Sequence, residues 1–145
     1  MNTVNHGYLI KLREDHKAFR QLLEEIKTLI HIKDFSGIAS RIGLLKRGLV
    51  SHTKKEDEKL YTELLQVAKK ENMSLIQSTI NTFSNSMNKI AARSIDFFDK
   101  YSDRGEIEKS QSPFTSNFDA IQRDILIRLE SEEKALYSMY EKYCC

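Results

Sequence analysis

The chain has 145 residues with 40% apolar content, the size of one domain, and at this length roughly 68% of the unfolded surface can be buried without disulfide staples. Its 23 basic and 21 acidic side chains are interleaved and leave a formal net charge of +2, so no strong field is present to draw nucleic acid, an anionic membrane or an acidic substrate. The only cysteines, Cys144 and Cys145, are adjacent; they cannot form a zinc knuckle and are expected to be free thiols.

In chain order, residues 1–17 carry charges every few positions and lack the apolar run of a secretory signal. No later stretch is long and uncharged enough to span a bilayer, so the expectation is a soluble cytoplasmic protein. Five Gly and one Pro leave few breaks in a pattern that otherwise reads as helix. A first helix is expected over residues 8–31. Asp34 offers an N-cap for a second that runs to residue 70, weakened slightly by Gly43 and Gly48. A break at residues 72–74 precedes a third helix reaching residue 101. The polar segment 102–111 reads as the longest loop, and Ser112 with Pro113 supplies an N-cap and first position for a fourth helix to residue 142. Four helices with short first and second connections predict an all-α, antiparallel up-down four-helix bundle, a single domain over residues 1–145.

Each helix carries an apolar seam in steps of three and four. The first runs Leu9, Leu12, His16, Phe19, Leu23, Ile26, Ile30, and the second Ile38, Ile42, Leu45, Leu49, His52, Glu56, Leu60, Leu64. The third passes through Met87, and the fourth reads Phe114, Phe118, Ile121, Ile125, Arg128, Glu132, Leu136, Met139. Ionisable groups thus interrupt three of the four seams.

Asp34 lies 18 residues from His16 and 18 from His52, about 27 Å along each helix, so the two imidazoles are expected at one height. Counting back from the other turns adds Glu56, Met87, Arg128 and Glu132 to that layer. Burying a lone carboxylate or guanidinium costs several kcal/mol, so these groups need partners. Two arrangements satisfy them. In one, His16, His52 and Glu56, with Glu132 as a fourth ligand, hold a single divalent ion; His52 and Glu56 at i and i+4 share one helical face. In the other, Arg128 pairs with the carboxylates and a protonated histidine completes a metal-free network. Met87 reads as core filling, His6 and His31 as solvated helix-end residues, and Tyr61, Tyr137, Tyr140 and Tyr143 as core or rim aromatics.

The run Leu12-Arg13-Glu14-Asp15-His16-Lys17-Ala18-Phe19-Arg20 resembles the first-helix DH motif of hemerythrin-like, HHE-type cation-binding domains. The run from His52 through Glu56 to Leu60-Tyr61 is similar to their HxxxE motif with its acidic stretch. The resemblance implies a bundle whose centre holds, in complete members, two bridged iron ions used for oxygen binding, sensing or iron handling. It places His16, His52 and Glu56 on metal-ligand positions. The second half departs from the pattern: in the run Arg128 to Tyr137, Glu132 keeps the carboxylate position, but Arg128 stands where a histidine belongs, and no histidine follows His52.

The implied function is a cation-binding protein with a degenerate centre, one ion at most, iron or alternatively zinc or another divalent metal, acting in sensing or regulation and not in oxygen transport. The alternative is a metal-free interaction module with a protein partner, its polar layer serving only to fix helix register. No phosphate loop, CxxC or nucleophile–base motif is present, so an enzyme is not expected, and nothing sets the oligomeric state.

Overall fold

A computed structural model describes residues 2–145; residue 1 of the expected domain lies outside the described residues. Helix α1 spans Thr3–His31 and α2 Phe35–Lys55, which continues through a π-helical turn, Glu56–Leu60, into α3, Tyr61–Lys70. Helix α4 spans Ser74–Lys100 and the short α5 Arg104–Lys109; α6, Gln111–Ser131, passes through a second π turn, Glu132–Leu136, into α7, Tyr137–Cys144. The result is four antiparallel rods, as the seams predict, with α1 beside α2 and the α6–α7 rod, and α4 beside α2–α3 and α6.

The first two connections close by the same device. Lys33 and Asn72 adopt left-handed backbone angles, φ 58° and 54°. The next amides bond back into the preceding helix, Asp34 to the Leu29 carbonyl and Met73 to that of Ala68. Asp34 then caps α2 as expected, its carboxylate accepting from the Gly37 amide at 2.9 Å.

The third connection differs from the sequence reading. The segment expected as a loop contains α5, because Ile107 is buried in the core and anchors a helical turn against α2. Helix α6 begins two residues before Pro113, which therefore sits at the third helical position; its missing N–H is harmless there, since the first-turn amides have no intrahelical partner.

The buried side chains form two apolar clusters. One gathers Phe19, Leu23, Leu45, Leu49, Phe97, Phe98, Phe118, Ile125 and their neighbours. The other gathers Leu9, Leu12, Leu60, Leu64, Ile80, Leu136 and Tyr140. The interrupting groups are buried with them: His16, His52, Glu56, Arg128 and Glu132 are each at most 1% exposed. No helix among the described residues is long and apolar enough to cross a membrane.

Candidate metal centre

Three of the four rods deliver the polar side chains, from different local settings. Helix α1 supplies His16, α2 supplies His52, and the two π turns begin at Glu56 and Glu132. The Nε2 atoms of His16 and His52 lie 3.1 Å apart. Glu132 Oε1 is 3.1 Å from His16 Nε2, and Glu56 Oε2 is 3.3 Å from His52 Nε2. One ligand atom from each of the four residues falls within 4.8 Å of the others, so the cluster could hold a metal ion. All four residues singled out in the sequence therefore meet, and the matched heights inferred for the histidines are observed.

Both ring nitrogens of each histidine are engaged. His16 Nδ1 lies 2.7 Å from Glu133 Oε2, and His52 Nδ1 lies 2.9 Å from Asp15 Oδ2. A carboxylate only accepts, so each Nδ1 donates its N–H. In the neutral ring this leaves a lone pair on Nε2 facing the centre, the tautomer a metal requires. The carboxylates are themselves held: Arg20 donates two hydrogen bonds to Glu133 at 2.8 and 2.9 Å, and Lys55 donates to Asp15 at 3.0 Å. The acidic partner of each histidine comes from a different rod, so this outer pairing cannot be read from local spacing. The adjacent acids in Asp15-His16 and Glu132-Glu133 were the only signal for it.

Arg128 occupies the other side of the layer. Its Nη2 is 3.5 Å from Glu56 Oε1, its Nε donates to Glu132 Oε2 at 3.3 Å, and its Nη1 donates to the Met87 carbonyl at 3.0 Å. The guanidinium thus bridges the two carboxylates, and Met87, taken from sequence as filler, contributes its backbone. Tyr137, read from sequence as a core or rim aromatic, is a core residue with a polar role that the sequence did not signal: its ring is buried and its hydroxyl donates to Glu56 Oε2 at 2.7 Å. The Tyr137 hydroxyl oxygen also lies 2.9 Å from His16 Nε2 and 3.3 Å from His52 Nε2.

The electrostatics follow from this packing. Burial favours the neutral form of His52, but its hydrogen bond to Asp15 and the nearby Glu132 and Glu56 carboxylates outweigh it and push its pKa up to about 11. Asp15 resists its own partial burial because His52 and Lys55 hold it ionised, at about 2. Glu56 titrates above the usual carboxylate range through burial and the charge of Glu132. Glu132, equally buried, is held below that range by the histidines and Arg128. Two cationic groups, Arg128 and imidazolium at His52, therefore face the two buried carboxylates.

One feature of the layer is unsatisfied. Glu56 Oε1 and Glu132 Oε1 are buried and accept no hydrogen bond, a costly state for carboxylate oxygens. Two imidazole nitrogens and two carboxylates suit borderline divalent ions such as iron or zinc.

Comparison with known proteins agrees with this geometry. Neither curated proteins nor solved structures yield a match to the chain. The family model described as the hemerythrin HHE cation binding domain matches residues 9–140, nearly the whole bundle and every residue of the polar layer. The chain belongs to the hemerythrin HHE cation-binding domain family.

Proposed function

We propose that this protein binds one divalent cation, iron or zinc, through His16, His52, Glu56 and Glu132, and serves as a cytoplasmic sensing or regulatory protein, neither oxygen carrier nor enzyme. The observation that carries the reading is the bridging position of Arg128: a fixed guanidinium between Glu56 and Glu132 supplies the positive charge that a second ion would otherwise bring. With no histidine after His52, a second histidine-rich ion site has no ligands within this chain. Iron at the four-residue site would supply a centre that changes charge with oxidation state, whereas zinc would be redox-silent.

The chain's own residues fit a sensing role. Asp15 and Glu133 orient the two imidazoles and are themselves only partly buried, at 15% and 24% side-chain exposure. They are tied to Lys55 and Arg20 at the surface of the bundle. A change of charge at the centre is thereby linked through one hydrogen bond on each side to groups in contact with solvent.

A second reading has its own support. Arg128 and the Tyr137 hydroxyl already occupy much of the acceptor capacity of Glu56 and Glu132, as in a metal-free module whose polar layer fixes register while the outer surface meets a protein partner. Metal analysis of the purified protein and of His52→Ala, after anaerobic ferrous loading and after zinc loading, separates the two. Near-stoichiometric metal in the parent that is lost in the variant is expected; no retained metal in either overturns the cation-binding proposal.

A further inference from the structure

We propose that the phenol oxygen of Tyr137 is an additional ligand of the cation, an inference that rests on the four-residue site proposed above. The distances match those between ligands of one ion. An ion sits about 2.0–2.2 Å from its nitrogen and oxygen ligands, and two such ligands lie about 2.9 Å apart at a right angle or about 3.4 Å apart at a tetrahedral one. The Tyr137 oxygen is 2.7 Å from Glu56 Oε2, 2.9 Å from His16 Nε2 and 3.3 Å from His52 Nε2. The two Nε2 atoms are themselves separated by 3.1 Å. These spacings, which serve hydrogen bonds here, equal those between ligands of one ion, so the phenol oxygen stands where a further ligand atom would.

The backbone is built to put it there. In an α-helix a residue five places on lies about 140° round the axis, since each residue turns about 100°. The π turn reduces that offset: the Tyr137 amide bonds to the Glu132 carbonyl five residues back, and Glu132 and Tyr137 both face the centre. The ring is seated against His16, stacked at 5.2 Å between centroids, with the Arg13 guanidinium 5.5 Å from its centroid. Tyr61 stands at the same spacing after Glu56 in the other π turn, yet its hydroxyl is buried without any hydrogen bond. Spacing alone does not bring a phenol to the cluster.

Ligation breaks the phenol O–H bond and forms an oxygen–metal bond; the proton leaves to solvent and no electron is transferred. The test uses the whole protein loaded with ferric iron. A visible phenolate-to-iron charge-transfer band, with resonance-enhanced phenolate ring vibrations, is expected in the parent and in Tyr61→Phe and is expected to vanish in Tyr137→Phe. In the same Tyr137→Phe protein, zinc affinity measured against a chelator is expected to fall at least about tenfold, the lower end of the cost of losing even an outer-shell partner. Circular dichroism checks that the variant, which keeps every ring atom, is folded. An iron-loaded parent without the band, or a band that persists in Tyr137→Phe, overturns the Tyr137 assignment and leaves the four-residue site standing. Failure of the parent to take up either metal overturns both.

Discussion

Replacing Arg128 with methionine keeps an unbranched, though shorter, side chain and deletes the charge and donors. The structure sets the size of the effect. Arg128 is 1% exposed and faces Glu56 at 3.5 Å and Glu132 at 3.3 Å. At an effective dielectric of about 20, each contact at this range is an attraction of roughly 5 kcal/mol. Relief of the guanidinium's own desolvation offsets much of that, and Glu56, already inclined to hold its proton, absorbs part of the remainder. Removing one partner of a buried ion pair costs about 3–5 kcal/mol in comparable settings. At about 3–4 °C per kcal/mol for a chain of this size, the melting temperature of metal-free Arg128→Met is expected to fall by about 10–20 °C. A divalent ion should then rescue the variant: at a concentration about 100 times Kd it contributes about 2.7 kcal/mol, and the gain should exceed that of the parent, because the opposing charge is gone. Thermal melts of both proteins in chelator and in excess zinc provide the assay. A metal-free variant within about 3 °C of the parent, or a larger zinc shift in the parent than in the variant, would refute the reasoning.

Glu133→Ala removes the acceptor for His16 Nδ1 and the partner of Arg20, and is expected to lower zinc affinity about 10–100-fold by chelator competition; an unchanged affinity contradicts the orienting role. Gly48→Ala would place a Cβ 2.8 Å from Cε1 of Phe19, whose ring stands edge-on to His52, so a loss of about 1–3 kcal/mol should appear in urea unfolding. The Cys144 thiol, pushed up to about 11 mainly by burial and then by Glu63, is expected to react with iodoacetamide about 100-fold more slowly at pH 8 than an ordinary thiol. Its rate should keep rising beyond pH 9, where the reaction of the unfolded chain levels off; a plateau near 9 in the folded protein counts against the packing described. Chelation should leave the far-ultraviolet helix signal intact, since Arg128 and His52 balance the carboxylates without an ion, and loss of that signal would show the layer to depend on metal.

The positions of the seams were legible because an α-helix repeats every 3.6 residues and apolar side chains mark its inner face. The height of the centre was legible because Asp34, a capping residue, fixes a turn from which His16 and His52 are equidistant. What sequence could not show has one physical source. The π turns at Glu56 and Glu132 each insert a residue into the helical phase, and nothing in Asp57-Glu58-Lys59 or Glu133-Lys134-Ala135 departs from ordinary helix formers. Beyond Glu132, a strict three-and-four pattern carries the seam to Met139, which is only half-buried; with the extra residue counted, Tyr137 and Tyr140 turn inward instead. Segment 102–111 departs from its polar composition for another reason: a single buried apolar side chain, Ile107, is enough to dock a short helix.

The two π turns also explain why the second half of the chain diverges in chemistry without diverging in shape. His52-x-x-x-Glu56-x-x-x-x-Tyr61 and Arg128-x-x-x-Glu132-x-x-x-x-Tyr137 share spacing, backbone distortion and a buried carboxylate at the head of the turn. They differ in the residue four positions before that carboxylate. Imidazole brings a lone pair and can exchange a proton for a metal; guanidinium has no lone pair to offer and stays charged throughout the accessible pH range. Arginine in that place therefore makes a permanent cation of what histidine would leave to an ion, and it answers the same two carboxylates. The exchange gives the layer a charge balance that needs neither metal nor oxidant. An ion bound by the remaining imidazoles and carboxylates, as proposed, would then be free to come and go inside a bundle already held by Arg128.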